Sequence, residues 1–219
     1  MRENATNSGR CPFFCNHKCS THIIRNCKNS PTEAQVCANW GALRKSVVLL
    51  ATIFNLEIMC KLVKGFEPFY NGDSRVLILG SFPSVKSREQ SFYYGHPQNA
   101  FWRILALFFG EEKPTTVEEK KAFLKRHKIA LWDIVTECEI VGSRDETIKN
   151  FKVANLPEVL QNSQVSCILV NGGRAFSIFE KHYGGIEIPY FKLPSTSPAN
   201  AKRNDDEWYN ALRRAFERT

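Results

Sequence analysis

Four short apolar segments that alternate with helix-like segments constrain the fold of this chain most strongly. Residues 75–80, 129–133, 165–171 and 188–193 have the length and composition of buried strands. Helical spacing is found at 99–109, 117–127, 156–161, from the glycine pair 172–173 to residue 182, and at 205–218. Strands that alternate with helices form a parallel sheet covered on both faces. We therefore predict a three-layer α/β/α sandwich around a mainly parallel, four-stranded sheet.

The first 58 residues differ in character from the rest of the chain. Six of the eight cysteines lie within the first 60 residues. We expect residues 1–58 to be a disordered, non-catalytic extension and residues 59–219 to form the working domain, with Met59 as an alternative natural start. A zinc site and a disulfide framework are the other interpretations, although the spacings do not match a common zinc finger. The ligands of a zinc site would come from Cys11, Cys15, His17, Cys19, His22 and Cys27.

Charge and hydropathy narrow the class of partner without fixing it. The formal net charge of +8 is compatible with a polyanionic partner, but many soluble proteins are mildly basic. No apolar run approaches the 18 or so residues of a membrane span, and the best segment, 47–58, carries Asn55 and Glu57. No convincing signal peptide opens the chain. We expect a monomer without a membrane partner, located inside the cell: cytoplasmic if prokaryotic, nuclear or organellar if eukaryotic.

Polar and aromatic residues follow three of the predicted strands. The first strand leads into a glycine–proline turn of Gly80, Ser81, Phe82 and Pro83, and then into Tyr-Tyr-Gly-His-Pro-Gln-Asn-Ala-Phe-Trp at 93–102. The third strand ends in Asn171, and the fourth runs into Pro-Ser-Thr-Ser-Pro-Ala-Asn at 194–200. Working loops of such sheets lie beyond the carboxyl ends of the strands. We therefore expect the three loops to converge at one edge of the sheet.

Each of these features also has a purely structural interpretation. The aromatic residues at 93–102 have a spacing typical of a core. His96 precedes a proline and can belong to a turn, and Asn99 stands where a helix N-cap is expected. Asn171 lies beside two glycines and can shape a turn. The combination of all three loops favours a functional site.

The glycine–proline turn, the 93–102 segment, the Leu-Trp-Asp of the second strand and the Ser-Thr-Ser-Pro-Ala-Asn loop resemble the uracil-DNA glycosylase superfamily. The match is greatest to its hypoxanthine-DNA (deoxyinosine) glycosylase branch and spans about residues 64 to 217. The resemblance implies a monofunctional base-excision repair enzyme without cofactor or metal. Such an enzyme flips a deaminated base, hypoxanthine in the first place, out of double-stranded DNA. It then hydrolyses the N-glycosidic bond and leaves an abasic site.

The resemblance also implies a role for individual residues. Asn99 would orient water and stabilise charge as the catalytic residue, with Asp133 as a rival water activator or a structural carboxylate. The base pocket would consist of Gly80, Ser81, Phe82, Pro83, His96 and Asn171, with Phe82 stacked on the base. An insertion loop would fill the gap in the duplex, and two cations would contact phosphates. These residues are Ser195, Thr196, Ser197, Pro198, Ala199 and Asn200 for the loop, and Lys202 and Arg203 for the phosphates.

Two functions from other classes remain open at this point. A non-catalytic DNA-damage-binding protein would keep the fold and bind the lesion without producing abasic sites. A hydrolase of free nucleosides would share only the base pocket. The loop after the fourth strand and the adjacent cations favour a polymeric substrate.

Overall fold

The computed structural model describes residues 62–217, which form seven strands and six α-helices. The strands are β1 (Leu62–Lys64), β2 (Val76–Gly80), β3 (Ile129–Asp133), β4 (Val135–Glu139), β5 (Lys149–Val153), β6 (Cys167–Asn171) and β7 (Tyr190–Leu193). The helices are α1 (Val85–Glu89), α2 (Phe101–Phe109), α3 (Val117–Arg126), α4 (Leu156–Gln161), α5 (Gly173–Tyr183) and α6 (Asp205–Glu217). The extension predicted at 1–58, with its zinc and disulfide alternatives, lies outside the described residues. Within the described part, no helix is long and apolar enough to cross a membrane.

The central sheet has four parallel strands in the order β3-β2-β6-β7. β2 lies inside the sheet, and all five of its residues are buried. Its side chains alternate between the two faces, as the pleat of a strand requires. Val76 and Ile78 join one core, whereas Leu77 and Leu79 join the other.

Helices cover both faces of this sheet. Helices α2, α3 and α6 contribute Phe101, Phe123 and Trp208 to the core on the Ile78 side. Helices α4 and α5 contribute Val159 and Phe179 to the other core. The predicted three-layer α/β/α architecture with a parallel four-stranded sheet is confirmed.

A second, smaller sheet was not predicted from the sequence. It is antiparallel, with the order β1-β4-β5. β4 begins one residue after β3 ends, and its buried Val135 and Cys138 belong to the same core as α4 and α5. The connection from β4 to β5 contains a 3₁₀ turn at Asp145–Thr147. This connection reaches the carboxyl ends of the parallel strands.

Candidate active site

A cleft of about 1070 Å³ lies at the carboxyl ends of the parallel strands. The loops after β2, β6 and β7 meet there, together with the segment before α2. Lys202 and Arg203 are not among the residues that line the cleft. All other site residues expected from the sequence line it: Gly80, Ser81, Phe82, Pro83, His96, Asn99, Asn171, Ser195, Thr196, Ser197, Pro198, Ala199 and Asn200.

Asn99 lies immediately before α2 and is held in one orientation. Its Oδ1 accepts a hydrogen bond of 3.0 Å from the backbone N–H of Phe101, and its own N–H donates to the carbonyl of His96 at 2.9 Å. Because a backbone N–H can only donate, the Phe101 contact identifies the amide oxygen. No group in residues 62–217 accepts a hydrogen bond from Nδ2 of Asn99. One Oδ1 lone pair and both Nδ2 hydrogens therefore remain available to a ligand.

Thr196 joins the three converging loops. Asn171 Nδ2 donates to Thr196 Oγ1 at 2.9 Å, and the Thr196 N–H donates to Asn171 Oδ1 at 3.0 Å. The Thr196 carbonyl also accepts from the N–H of Ala100 at 3.1 Å. Thr196 is fully buried and Asn171 nearly so. The loop after β7 is thus fixed to the end of β6 and to the start of α2, while the Asn171 amide keeps one N–H and one lone pair.

Gly80 makes room for two polar groups at the floor of the cleft. A Cβ at Gly80 would lie 2.2 Å from Asp133 Oδ1 and 3.2 Å from Tyr94 Oη. Tyr94 adopts a left-handed backbone conformation with φ of 50°, and its ring stacks on Phe101 at a centroid distance of 3.8 Å. Burial, and then the charge of Asp145, raises the pKa of Asp133 to about 8. Asp133 is therefore mostly a neutral carboxylic acid at pH 7.

Buried polar atoms without a partner concentrate at this cleft. Within the described part of the chain there are three: Tyr94 Oη, Asp133 Oδ2 and Arg174 Nε. Native proteins leave few such atoms unsatisfied, and all three of these residues line the cleft. The cleft is therefore built to receive a polar ligand.

The connection between β4 and β5 supplies a carboxylate that sequence reasoning missed. Asp145 Oδ2 accepts a hydrogen bond of 2.8 Å from Ser81 Oγ, and Asp145 lines the cleft. Burial raises the pKa of Asp145, whereas the Ser81 hydroxyl and the Arg174 guanidinium oppose this shift. The alternation of Val-Thr-Glu-Cys-Glu at 135–139 was the signal that could have revealed the hairpin.

Phe82 and His96 line the cleft in different ways. Phe82 is only 7% exposed and packs in the core on the α4 and α5 side, so little of its surface is accessible from the cleft. Arg88 supports this turn because Nη1 donates to the Pro83 carbonyl at 2.8 Å and the guanidinium lies 5.7 Å from the Phe82 ring centroid. Nδ1 of His96 accepts from the Gln98 N–H at 3.2 Å. In the neutral ring the proton is therefore on Nε2, which can donate to a ligand.

The predicted insertion loop and its cations are placed unequally. Pro198 and Ala199 are exposed at the tip of the loop. Lys202 is exposed as well. Arg203 Nε donates to Asp205 Oδ1 at 2.7 Å, and the Arg203 side chain is only 16% exposed. Arg203 is thus engaged within the protein, and a phosphate contact there would have to use its remaining guanidinium nitrogens.

Comparison with known proteins gives a consistent result for this domain. The family model described as the uracil DNA glycosylase superfamily matches residues 67–217. A hypoxanthine DNA glycosylase of Methanosarcina acetivorans is 32% identical over 157 residues, which cover 68% of this chain and 98% of that protein. A protein of the same name from Methanosarcina barkeri is 34% identical over 115 residues, covering 51% and 72% of the two chains. The solution NMR structure of a candidate uracil DNA glycosylase from Methanosarcina acetivorans superposes with a TM-score of 0.63 at 29% identity, covering 71% of this chain and 99% of that one.

Proposed function

The chain belongs to the uracil DNA glycosylase superfamily, and we propose that, as a DNA glycosylase, it removes hypoxanthine from double-stranded DNA. The reaction is hydrolysis of the N-glycosidic bond, and the product is an abasic site. The names of the Methanosarcina relatives support hypoxanthine as the first substrate to test. Uracil and xanthine share adjacent N–H and C=O groups with hypoxanthine and are the next candidates.

The orientation of Asn99 is the observation that carries this proposal. Cleavage of the N-glycosidic bond places positive charge on the sugar and negative charge on the departing base. An amide does not take a proton at neutral pH, so Asn99 acts by orienting water and by preorganised hydrogen bonding. The Phe101 N–H holds Oδ1 in place. The free Oδ1 lone pair accepts a hydrogen bond from the attacking water, which leaves its oxygen lone pair directed at C1′.

Extrusion of the nucleotide requires a firm support on the protein side. Removing a base from the stack costs a few kcal/mol, and the opened duplex must be kept open. The exposed tip of Pro198 and Ala199 suits insertion into the gap, because two buried hydrogen bonds between Thr196 and Asn171 fix the base of this loop. His96 Nε2–H and the orphan polar atoms of the cleft offer hydrogen bonds to the extruded nucleotide.

A panel of duplexes that each carry one lesion tests this function. The full-length chain is incubated with hypoxanthine, uracil, xanthine or a mismatch in the same sequence, and abasic sites are scored by strand scission in alkali. We expect cleavage of the hypoxanthine duplex, with a rate at sub-saturating enzyme that falls steeply as salt rises because phosphate contacts release counterions. Binding without scission would instead indicate a damage-binding protein. Release of hypoxanthine from free deoxyinosine at a comparable rate would indicate a nucleoside hydrolase.

A further inference from the structure

The turn after β2 contains no acidic residue, although a carboxylate is well suited to take a proton from an attacking water. Its sequence is Gly-Ser-Phe-Pro-Ser. The structure brings a carboxylate to this turn from a distant part of the chain. Asp145, 64 residues after Ser81, accepts the hydrogen bond of 2.8 Å from the Ser81 hydroxyl through Oδ2. Its other oxygen, Oδ1, has no hydrogen-bond partner among residues 62–217.

The connection that carries Asp145 is attached to the cleft at three points. Besides the Ser81 contact, Ser143 Oγ accepts from the N–H of Val85 at 2.9 Å. Arg174 Nη2 donates to the carbonyl of Ile148 at 3.3 Å. These contacts come from the β2 turn, from the start of α1 and from α5. The carboxylate is thus preorganised before any ligand binds.

Among the acidic side chains that line the cleft, Asp145 is the one whose surroundings suit a proton acceptor. Asp133 is mostly neutral at pH 7 because burial raises its pKa to about 8, so it has already taken its proton. Glu146 is exposed and well solvated. Asp145 is half-buried, and its hydroxyl and guanidinium neighbours favour the charged form.

We infer that Asp145 is the catalytic carboxylate of this cleft, acting together with Asn99; the inference rests on the proposed glycosylase function. The water oxygen forms a bond to C1′ while the bond from C1′ to the base nitrogen breaks, and its electron pair leaves with the base. One water proton passes to Oδ1 of Asp145, and the other stays on the new C1′ hydroxyl. The departing base takes a proton from solvent, and Asp145 later returns its own to solvent. The negative charge of Asp145 also stabilises the positive charge on the sugar.

This role predicts a pH dependence with a definite sign. Protonation of Asp145 in acid removes the proton acceptor, so the cleavage rate falls as the pH decreases. The Ser81 hydroxyl lowers the pKa of Asp145, so its removal moves this fall to higher pH. The other titratable or charged groups that interact with Asp145 across the cleft are Asp133 on β3, Cys138 on β4, Tyr94 before α2, Glu146 on its own turn and Arg174 on α5.

Single-turnover cleavage of a hypoxanthine duplex by the full chain, measured from pH 5 to pH 9, tests the inference. Asp145→Asn should cleave about 10²–10⁴-fold more slowly, lose the acid limb and bind the duplex with an affinity within a few-fold of the wild type. Ser81→Ala should keep the acid limb and move it to higher pH. Glu146→Gln, on the same turn but exposed, serves as the matched control and should match the wild type.

Three results decide against the inference. Asp145→Asn could cleave within about threefold of the wild type, or it could be slow and still retain the acid limb. If Asp145→Asn does not fold, an acid limb that stays in place in Ser81→Ala refutes the role of Asp145. A wild-type chain that cleaves the duplex while Asp145→Asn is fully active leaves the proposed function standing. A wild-type chain that cleaves no lesion contradicts the proposed function itself.

Discussion

Replacement of Asp133 by asparagine should make the protein more stable, by an amount that depends on pH. The Asp133 side chain is 4% exposed, and its Oδ2 has no hydrogen-bond partner in the described part of the chain. Burial raises its pKa from the ordinary 3.8 to about 8. Between these two values the unfolded chain releases the proton while the folded protein keeps it. Stability from this group is therefore fully present below pH 3.8, decreases as the pH rises, and is lost above about pH 8.

The magnitude follows from the same two pKa values. Each pH unit between them lowers the free energy of unfolding by about 1.4 kcal/mol, which amounts to about 4 kcal/mol at pH 7. The asparagine side chain of the variant has a similar shape and no charge to lose, but its buried amide hydrogens cost about 1–3 kcal/mol where they lack acceptors. We expect the stability difference between Asp133→Asn and the wild type to rise by about 4 kcal/mol from pH 4 to pH 8.

Urea unfolding of both proteins without DNA, at several pH values from 4 to 9, measures this difference directly. Other titrating groups are common to the two proteins and cancel in the comparison. Asp73→Asn is the matched control, because Asp73 is half exposed and lies 3.8 Å from Lys128; its difference should stay within about 1 kcal/mol at every pH. A stability difference for Asp133→Asn that is independent of pH, or that shrinks as the pH rises, would refute the reasoning.

Three further predictions concern the frame of the cleft. Gly80→Ala should lower stability by about 1–3 kcal/mol, because the new Cβ would lie 2.2 Å from Asp133 Oδ1; thermal unfolding should show no comparable loss for Gly185→Ala, where nothing lies within 4 Å, and equal effects would contradict the steric argument. Thr196→Val should lower the free energy of urea unfolding by about 1–3 kcal/mol, because Asn171 Nδ2 then loses its buried acceptor; an unchanged midpoint would show that the contact contributes nothing. Residues 59–219 alone should cleave a hypoxanthine duplex at the rate of the full chain, and a folded but inactive truncation would show that the first 58 residues take part.

The parallel sheet could be predicted from the sequence because its strands are buried on both faces. Such strands form almost continuous apolar runs, and the predicted bounds lie within two residues of those of β2, β3, β6 and β7. The glycine and proline residues that end these runs also located the loops. The convergence of these loops followed from the rule that parallel strands end at the same edge of a sheet.

The small antiparallel sheet could not be recognised in the same way. β5 carries Lys149 and Lys152 and is largely exposed, so it has no apolar run. β4 follows β3 so closely that the two appear as one strand in the sequence. Because this hairpin was missed, Asp145 could not be placed at the cleft. The contact between Asp145 and Ser81 exists only after the second sheet has packed against the first.

Two site residues show the difference between local and tertiary information. Arg203 pairs with Asp205, two residues along the chain, and this local charge pair was visible in the sequence. The commitment of Asn171 to Thr196 spans 25 residues and depends on the loop after β7 folding back on β6. Sequence patterns named Asn171 correctly as a residue of the cleft, but they could not show that half of its amide is used to hold that loop.

Single-turnover cleavage of a hypoxanthine duplex by the wild type and by Asn99→Ala tests the central claim most directly. The alanine variant loses only the hydrogen bond from the Phe101 N–H, so it should fold and bind the duplex normally. We predict that the wild type produces alkali-labile abasic sites and that Asn99→Ala does so about 10²–10³-fold more slowly. Cleavage by Asn99→Ala at a rate near that of the wild type would contradict the assignment of Asn99 and the mechanism built on it.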